Sequence, residues 1–193
     1  MERSVIYWRR TDVAAIECLE LEITASKITA AGVVIGLELP TYRVEHKWLL
    51  DPSWRVQAVT IERRSEQAPQ KLHLERAKEG WEVNGTTRRD LDAAQEPDLS
   101  ITPFCNTIPI RRAIATGAES LQMTTAYIDG TTLGISTSEQ RYDRQGPNRF
   151  RYVDLGLYRG FEANLVVDEL GLVEVYEHLF ERLHPTQRGS RRD

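Results

Sequence analysis

The side chains of this sequence best suited to chemistry are a few carboxylates in its middle third. Asp90 and Asp92 flank Leu91, and Asp98 opens a second stretch in which polar and apolar residues alternate. In a strand, Asp90 and Asp92 would share one face with their Cα atoms about 6.5–7 Å apart. Carboxylates held in that way can accept hydrogen bonds from the hydroxyl groups of a ligand. The structural alternative is a row of polar residues facing water on a half-buried strand.

Glu17 is the most unusual acid. It lies in phase with Leu19, Leu21 and Ile23, which places its carboxylate on the apolar face of a strand. Burial there is costly unless the group is paired, hydrogen-bonded or open to a polar cavity. A β-bulge near Cys18 would instead turn Glu17 outward, and the pattern leaves both alternatives open.

One segment interrupts the alternating pattern and predicts a helix near residues 107–116. Asn106 or Thr107 can cap it, Pro109 then falls in its first turn, and Gly117 suits its left-handed end. At about ten residues this helix would be marginal alone in water, so we expect packing inside the curve of a large sheet to stabilise it.

Arg112 lies in the first turns of this predicted helix, where the helix dipole disfavours a cation. We therefore expect carboxylates such as Asp90, Asp92 or Asp98 beside it. The arginine could then anchor the helix to the sheet, or present its donors to a ligand oxygen.

Most of the remaining sequence alternates with period two and has a turn signal about every ten residues. Asp129-Gly130 and the segment 145–148 are clear examples. The pattern predicts a mostly antiparallel β-domain over residues 1–184 with one buried helix, followed by a flexible basic tail at 185–193. Residues 173–183 are a second helical candidate because their apolar side chains have i, i+3, i+4 spacing.

Composition excludes several classes of protein. The 193 residues carry 25 basic and 29 acidic side chains, a net charge of -4 that disfavours a nucleic-acid partner. No apolar run approaches the ~20 residues of a membrane span, and no signal core is evident, so we expect a cytoplasmic protein. The two cysteines and four histidines lack metal-ligand spacing, and we predict no metal and no cofactor.

The segment from Thr102 to Arg112 reads Thr-Pro-Phe-x-Asn-Thr-x-Pro-Ile-Arg-Arg. It resembles the central block of the bacterial family named "putative glycolipid-binding". The family pattern expects Pro-Gly where this chain has Glu177-His178, and a Gly soon after Asp92. Shorter matches extend the resemblance over nearly the whole chain: Trp8-Arg9 with Glu17, Trp81 ahead of Asp90-Leu91-Asp92, Gln140-x-Tyr142, Val167-Asp168-x-x-Gly171-Leu172-Val173 and Leu179-Phe180-x-Arg182.

The resemblance implies a long, strongly curved antiparallel sheet wrapped around a single α-helix, remotely like the half-barrels of bacterial lipoprotein carriers. It also implies an acidic pocket for a glycolipid or another sugar-bearing amphiphile, without catalysis, and a role in glycolipid metabolism. The expected ligand-binding residues are of three kinds: acceptors, donors and tyrosines with flat or hydroxyl contacts. They are Glu17, Asp90, Asp92 and Asp98; Asn106 and Arg112; and Tyr142 and Tyr152.

Two other functions stay open. A glycoside or ester hydrolase could use paired carboxylates such as Asp90 and Asp92, although neighbours on one strand straddle a bond poorly, and a Gly-x-Ser-x-Gly elbow and a His-Glu-x-x-His helix are both missing. A scaffold without a small ligand would have a solid core. Exposed sheet edges favour self-pairing, so we expect a homodimer.

Overall fold

The computed structural model describes residues 1–184, and the predicted tail at 185–193 lies outside the described residues. Within them, 15 strands form one sheet and one α-helix, α1, spans Phe104–Thr116. The strands are β1 Glu2–Arg10, β2 Ala15–Ile23, β3 Ile28–Gly36, β4 Tyr42–Leu50, β5 Val56–Arg64, β6 Gln70–Arg76, β7 Trp81–Val83, β8 Thr86–Thr87, β9 Glu96–Leu99, β10 Ser120–Ile128, β11 Ile135–Gly146, β12 Arg149–Asp154, β13 Glu162–Val167, β14 Val173–Tyr176 and β15 Phe180–Leu183.

The sheet consists of two meanders joined at its centre. Strands β1 to β8 follow one another toward one edge, and β9 to β15 run from the other edge back to β1. Among the described strands each neighbouring pair is antiparallel except β9 and β10, which are parallel. Helix α1 is the connection between these two, as a parallel pair requires. The predicted curved, mostly antiparallel sheet around one helix is confirmed.

Helix α1 is buried against both halves of the sheet. The Phe104 ring packs edge-on against Trp48 of β4, with 5.8 Å between ring centroids. On the other side, Tyr142 of β11 donates a hydrogen bond to Asn106 Oδ1 at 2.9 Å. Burial of this short helix between the two halves supplies the stabilisation that its length demands.

The helix begins three residues earlier than the sequence predicts, at Phe104 instead of residue 107. Neither Asn106 nor Thr107 caps it. The N-cap residue is Pro103, which has no side-chain capping bond, and the Thr102 hydroxyl before it accepts from the Phe104 N–H at 3.2 Å. Gly117 ends the helix at φ 66°, as expected.

The second helical candidate, residues 173–183, is wrong. The segment forms the hairpin β14–β15, and Leu179 N–H donates to Tyr176 O across its turn at 2.9 Å. His178 has φ 69°, a conformation that glycine adopts freely and other residues rarely do. This is where the family pattern has Pro-Gly, so the histidine occupies a glycine position.

The strand predicted through Asp90 and Asp92 is also wrong. Residues Arg89–Leu91 form one turn of 3₁₀-helix, with Leu91 fully buried and both acids exposed. An Asp-Leu-Asp pattern fits such a turn as well as a strand, because in either structure the leucine can point inward while the two acids point outward. The strand containing Asp98 ends at Leu99, and the chain turns at Ser100.

Candidate ligand-binding site

A cavity of about 370 Å³ lies beside the start of α1. Polar groups reach it from the end of β9, the first turn of α1 and the strands β10 and β12. Aromatic side chains close its other walls. The lining residues are Arg10, Asp98, Leu99, Ser100, Thr102, Asn106, Tyr127, Tyr152, Asp154, Tyr158, Phe161, Tyr176, Leu179 and Phe180.

Two carboxyl groups, those of Asp98 and Asp154, line this cavity. Burial raises the pKa of Asp98 to about 6, although Gln140 Nε2 donates to its Oδ2. Asp154 is only 3% exposed, and its Oδ1 accepts from the N–H groups of Gly156 at 2.8 Å and Tyr158 at 3.0 Å. Asp154 therefore holds one wall of the cavity in place, while Asp98 changes its charge near neutral pH.

Six aromatic rings form most of the apolar lining of the cavity. The hydroxyls of Tyr127 and Tyr158 lie 3.1 Å apart, and Tyr152 donates to Asp154 Oδ2 at 3.2 Å. Burial raises the pKa of the Tyr127 and Tyr152 phenols, so both keep their protons. The Tyr152 proton is used by Asp154, whereas one hydroxyl of the Tyr127–Tyr158 pair keeps a proton that it can donate to a ligand. The Tyr176 ring stacks at a tilt against Tyr152, with centroids 5.8 Å apart.

Three of the eight expected site residues line this cavity: Asp98, Asn106 and Tyr152. Tyr142 lies one step behind them. It is buried, and its hydroxyl contacts Asn106 Oδ1 and, at 3.2 Å, Gln140 Oε1. Gln140 in turn contacts Asp98, so Tyr142 orients the polar wall without facing the cavity.

Glu17 points inward, at 2% exposure, because the pairing of β1 with β2 continues through Cys18 without a bulge. Its Oε1 contacts His46 Nε2 at 3.0 Å and accepts from the Thr102 hydroxyl at 2.8 Å. Thr102 lines the cavity, whereas Glu17 is not among the lining residues. Glu17 is thus a positioning residue for Thr102.

Asp90, Asp92 and Arg112 lie elsewhere. Asp90 forms an ion pair with Arg88 at 2.7 Å, and Asp92 Oδ2 is 3.7 Å from Arg89 Nη1. Arg112 does find a carboxylate, as expected, but its partner is the buried Glu96, at 2.7 Å. None of the three lines the cavity that contains Asp98.

Asp154 is a cavity-lining carboxyl group that was not expected from the sequence. In β12 it lies in phase with Phe150 and Tyr152, so it is an acid on an apolar strand face. This is the signal that singled out Glu17. The aromatic residues of loop 155–161 and of the β14–β15 hairpin carry no comparable local pattern, because tertiary folding brings them together.

The structure also bears on metal sites and on membrane-spanning helices. Residues 1–184 contain no cluster of three or more His, Cys, Asp or Glu side chains arranged to hold a metal ion. Within the same range, no helix is both long and apolar enough to cross a membrane.

Solved structures support the architecture. A DUF1089 family protein from Pseudomonas aeruginosa is 27% identical, with a TM-score of 0.75 over 86% of this chain and 92% of that chain. A β-barrel-like DUF1849 protein from Brucella abortus shares the fold at a TM-score of 0.52 and 9% identity, covering 93% of each chain.

Sequence comparison gives a family assignment. A search of curated proteins gives no match. The family model described as "putative glycolipid-binding" matches residues 5–182, nearly the full length of the chain. The chain belongs to this family.

Proposed function

We propose that the cavity beside α1 binds the sugar headgroup of a glycolipid or a related amphiphile, without catalysis. The observation that carries this proposal is the meeting of two carboxylates and six aromatic rings in one space of about 370 Å³. Carboxylates accept hydrogen bonds from sugar hydroxyls, and aromatic faces cover the C–H surfaces of a sugar ring.

The polar groups are suited to a ligand with several hydroxyls. Asp98 accepts in its ionised form, and the tyrosine hydroxyls both donate and accept. Asn106 Oδ1 already accepts from Tyr142, so the amide presents its remaining donor capacity. Arg10, whose charge is paired with Asp12, also lines the cavity and lies 5.4 Å from the centre of the Phe180 ring.

The apolar part supports an amphiphile in preference to a free sugar. Phe161, Tyr176, Leu179 and Phe180 form one continuous side of the lining. The volume is in the lower part of the ~300–1,000 Å³ range of small-ligand pockets. We therefore expect the headgroup and the first methylenes of a chain to be enclosed, with the rest of the chain outside.

The hydrolase hypothesis used Asp90 and Asp92 as its carboxylate pair. Their surface positions and arginine partners give no reason to retain these two residues as a catalytic pair. A solid core would have favoured the scaffold hypothesis. The protein has a cavity of about 370 Å³ instead, so that support is missing.

The binding proposal predicts a specific loss of affinity in Asp154→Asn. The amide keeps an acceptor for the Gly156 and Tyr158 N–H groups, but it replaces Oδ2, which accepts from the cavity-lining Tyr152 hydroxyl, with an N–H donor. Hydrogen bonds to charged groups contribute about 1.5–3 kcal/mol, so we expect at least a tenfold weaker affinity for octyl glucoside by calorimetry.

The matched control is Asp90→Asn, which removes the same charge from an exposed site and should bind like the wild type. Glucose and octanol separate the contributions of headgroup and chain. Equal losses in both variants would place the ligand elsewhere. The absence of heat or a melting shift with any alkyl glycoside at millimolar concentration would reject the binding proposal.

The homodimer remains a prediction, but its expected interface changes. The edges of the described sheet are β8, with two residues, and β9, with four, and short edges oppose pairing. A dimer would more readily use the outer face of β1–β3, where Tyr7, Ile16 and Ile35 are exposed. Light scattering should give twice the chain mass. A monomer mass would contradict the dimer.

The cytoplasmic location also remains a prediction, which cell fractionation would check.

A further inference from the structure

We propose that a second cavity, at the ends of strands β3 to β5, binds an oxyanion such as a phosphate or carboxylate group. This cavity measures about 550 Å³ and is separate from the proposed headgroup site, with Arg10 in the lining of both. Its polar lining includes Tyr42, Arg63, Gln67 and Gln70.

Arg63 is a buried arginine that lines this cavity. It follows Val59 and Ile61 on the inner face of β5 and is only 7% exposed. Its Nη1 donates to Ser65 Oγ at 3.1 Å, and its Nε has no hydrogen-bond partner within residues 1–184. No acidic side chain in that part of the chain forms an ion pair with it.

A buried arginine is almost always paired, because an uncompensated charge away from water is costly. Its planar group offers two parallel donors that match the oxygens of a phosphate or carboxylate. Arg63 lines the cavity and has no acidic partner within residues 1–184, so its guanidinium group is available to a ligand oxygen.

The other charges around the cavity leave this cation available. Arg10 is neutralised by Asp12, with Nη2 to Oδ2 at 2.5 Å. Glu38 is the acid in the lining, and its Oε1 accepts from the Ala14 N–H at 3.1 Å. Burial raises the pKa of the Tyr42 phenol, which keeps its proton for donation.

The space beside Arg63 also depends on Gly36. A side chain there would overlap the Tyr42 ring, which lies against the bare Gly36 backbone. Tyr42 thus forms a wall of the cavity instead of filling it.

The proposed oxyanion site is independent of the proposed function, because it does not require the neighbouring cavity to bind a sugar.

The test compares Arg63→Met with Arg64→Met. Arg64 is the next residue on the same strand, but it is exposed and pairs with Glu62 at 2.6 Å. Both variants remove one positive charge, so general electrostatic effects are matched. Inorganic phosphate and octyl phosphate should each bind wild type and Arg64→Met, and at least tenfold more weakly to Arg63→Met, by calorimetry.

The ligands distinguish the source of the anion. Equal affinities for the two phosphates would identify a free oxyanion as sufficient, whereas much tighter octyl phosphate would identify a headgroup whose tail enters the apolar region. Both results support the site. Unchanged phosphate affinity in Arg63→Met, or no phosphate binding to the wild type at millimolar concentration, would overturn it.

Two further variants keep the test decisive if Arg63→Met does not fold or if the two cavities influence each other. If Arg63→Met does not fold, Arg63→Lys keeps the charge but loses the planar pair of donors, so phosphate should still bind several-fold more weakly; unchanged binding would overturn the proposal. Asp98→Asn should leave inorganic phosphate binding unchanged. Octyl glucoside binding measured in parallel shows separately whether the proposed headgroup site exists.

Discussion

Replacing Asp98 with asparagine should stabilise the protein at neutral pH while removing most of its affinity for sugar-bearing ligands. Burial raises the pKa of Asp98 from its ordinary 3.8 to about 6. At pH 7.5 the folded protein therefore holds an ionised carboxylate in surroundings that favour the protonated form. Asparagine removes this penalty and can still accept the hydrogen bond from Gln140.

The sign follows from proton linkage. Between pH 4 and about 6 the folded state binds more protons at Asp98 than the unfolded state, so this group's contribution to stability falls as pH rises. One pKa unit corresponds to about 1.4 kcal/mol, which limits the gain in Asp98→Asn to about 3 kcal/mol above pH 6. Because the side chain is part-exposed toward the cavity, we expect about 1–2 kcal/mol.

Urea denaturation of both proteins at pH 7.5 and pH 4.5 measures this effect. The advantage of Asp98→Asn should shrink at pH 4.5, where the wild-type carboxyl is largely protonated when folded. Asp90→Asn is the control, since Asp90 is exposed and hydrogen-bonded to Arg88. A less stable Asp98→Asn protein at pH 7.5 would contradict the expectation.

Ligand binding should depend on pH for the same reason. A protonated Asp98 loses part of its capacity to accept from sugar hydroxyls, so affinity for octyl glucoside should fall as pH drops below about 6. One titrating group limits this change to tenfold per pH unit, and the pH dependence should disappear in Asp98→Asn. A wild-type affinity that is flat from pH 5 to pH 8 would show that Asp98 does not contact the ligand.

The accuracy of the sequence reasoning depended on how local each signal was. The turn at Asp129-Gly130 follows from side-chain hydrogen bonds to the nearby backbone, such as Asp129 Oδ1 with the Thr131 N–H at 2.8 Å. This turn, and the hairpin it makes, is predicted from the sequence. The pairing of β1 with β15, for example of Tyr7 with Leu183, joins residues far apart in the sequence and has no local signal.

The errors in the site have a similar physical origin. Alternation alone cannot separate a strand from a single 3₁₀ turn, and Asp90 and Asp92 were misplaced for that reason. An acid in phase with apolar neighbours was a better guide. It identified Glu17 and, applied to β12, would have identified Asp154.

The largest loss of stability should come from His46→Leu. Trp48 Nε1 donates to His46 Nδ1 at 2.8 Å, which leaves Nε2 to carry the proton toward Glu17 Oε1, 3.0 Å away. Both His46 and Glu17 are almost fully buried, and Glu17 Oε2 has no partner within residues 1–184. Gly32 leaves room for the imidazole, because a Cβ there would overlap the ring.

Removing the histidine would leave Glu17 with Thr102 as its side-chain donor and Trp48 Nε1 without its acceptor. Each buried polar group left without its partner costs about 1–3 kcal/mol, and two such groups are created, so we expect a loss of about 3–5 kcal/mol in the free energy of unfolding by urea denaturation. His73→Leu is the control. His73 bonds to Thr60 at 2.8 Å but is part-exposed, so its loss should cost about 1 kcal/mol or less.

The double variant Glu17→Leu with His46→Leu tests whether the cost arises from the orphaned carboxyl group. Replacing both members of a buried pair by apolar side chains is often close to neutral, so the double variant should regain much of the stability that His46→Leu loses. The Thr102 hydroxyl would then keep the Phe104 N–H as its donor but lose Glu17 as its acceptor. Because Thr102 lines the cavity, we expect the stable double variant to bind octyl glucoside more weakly than the wild type. If the losses of the Glu17→Leu and His46→Leu single variants simply add in the double variant, the two residues are not energetically coupled.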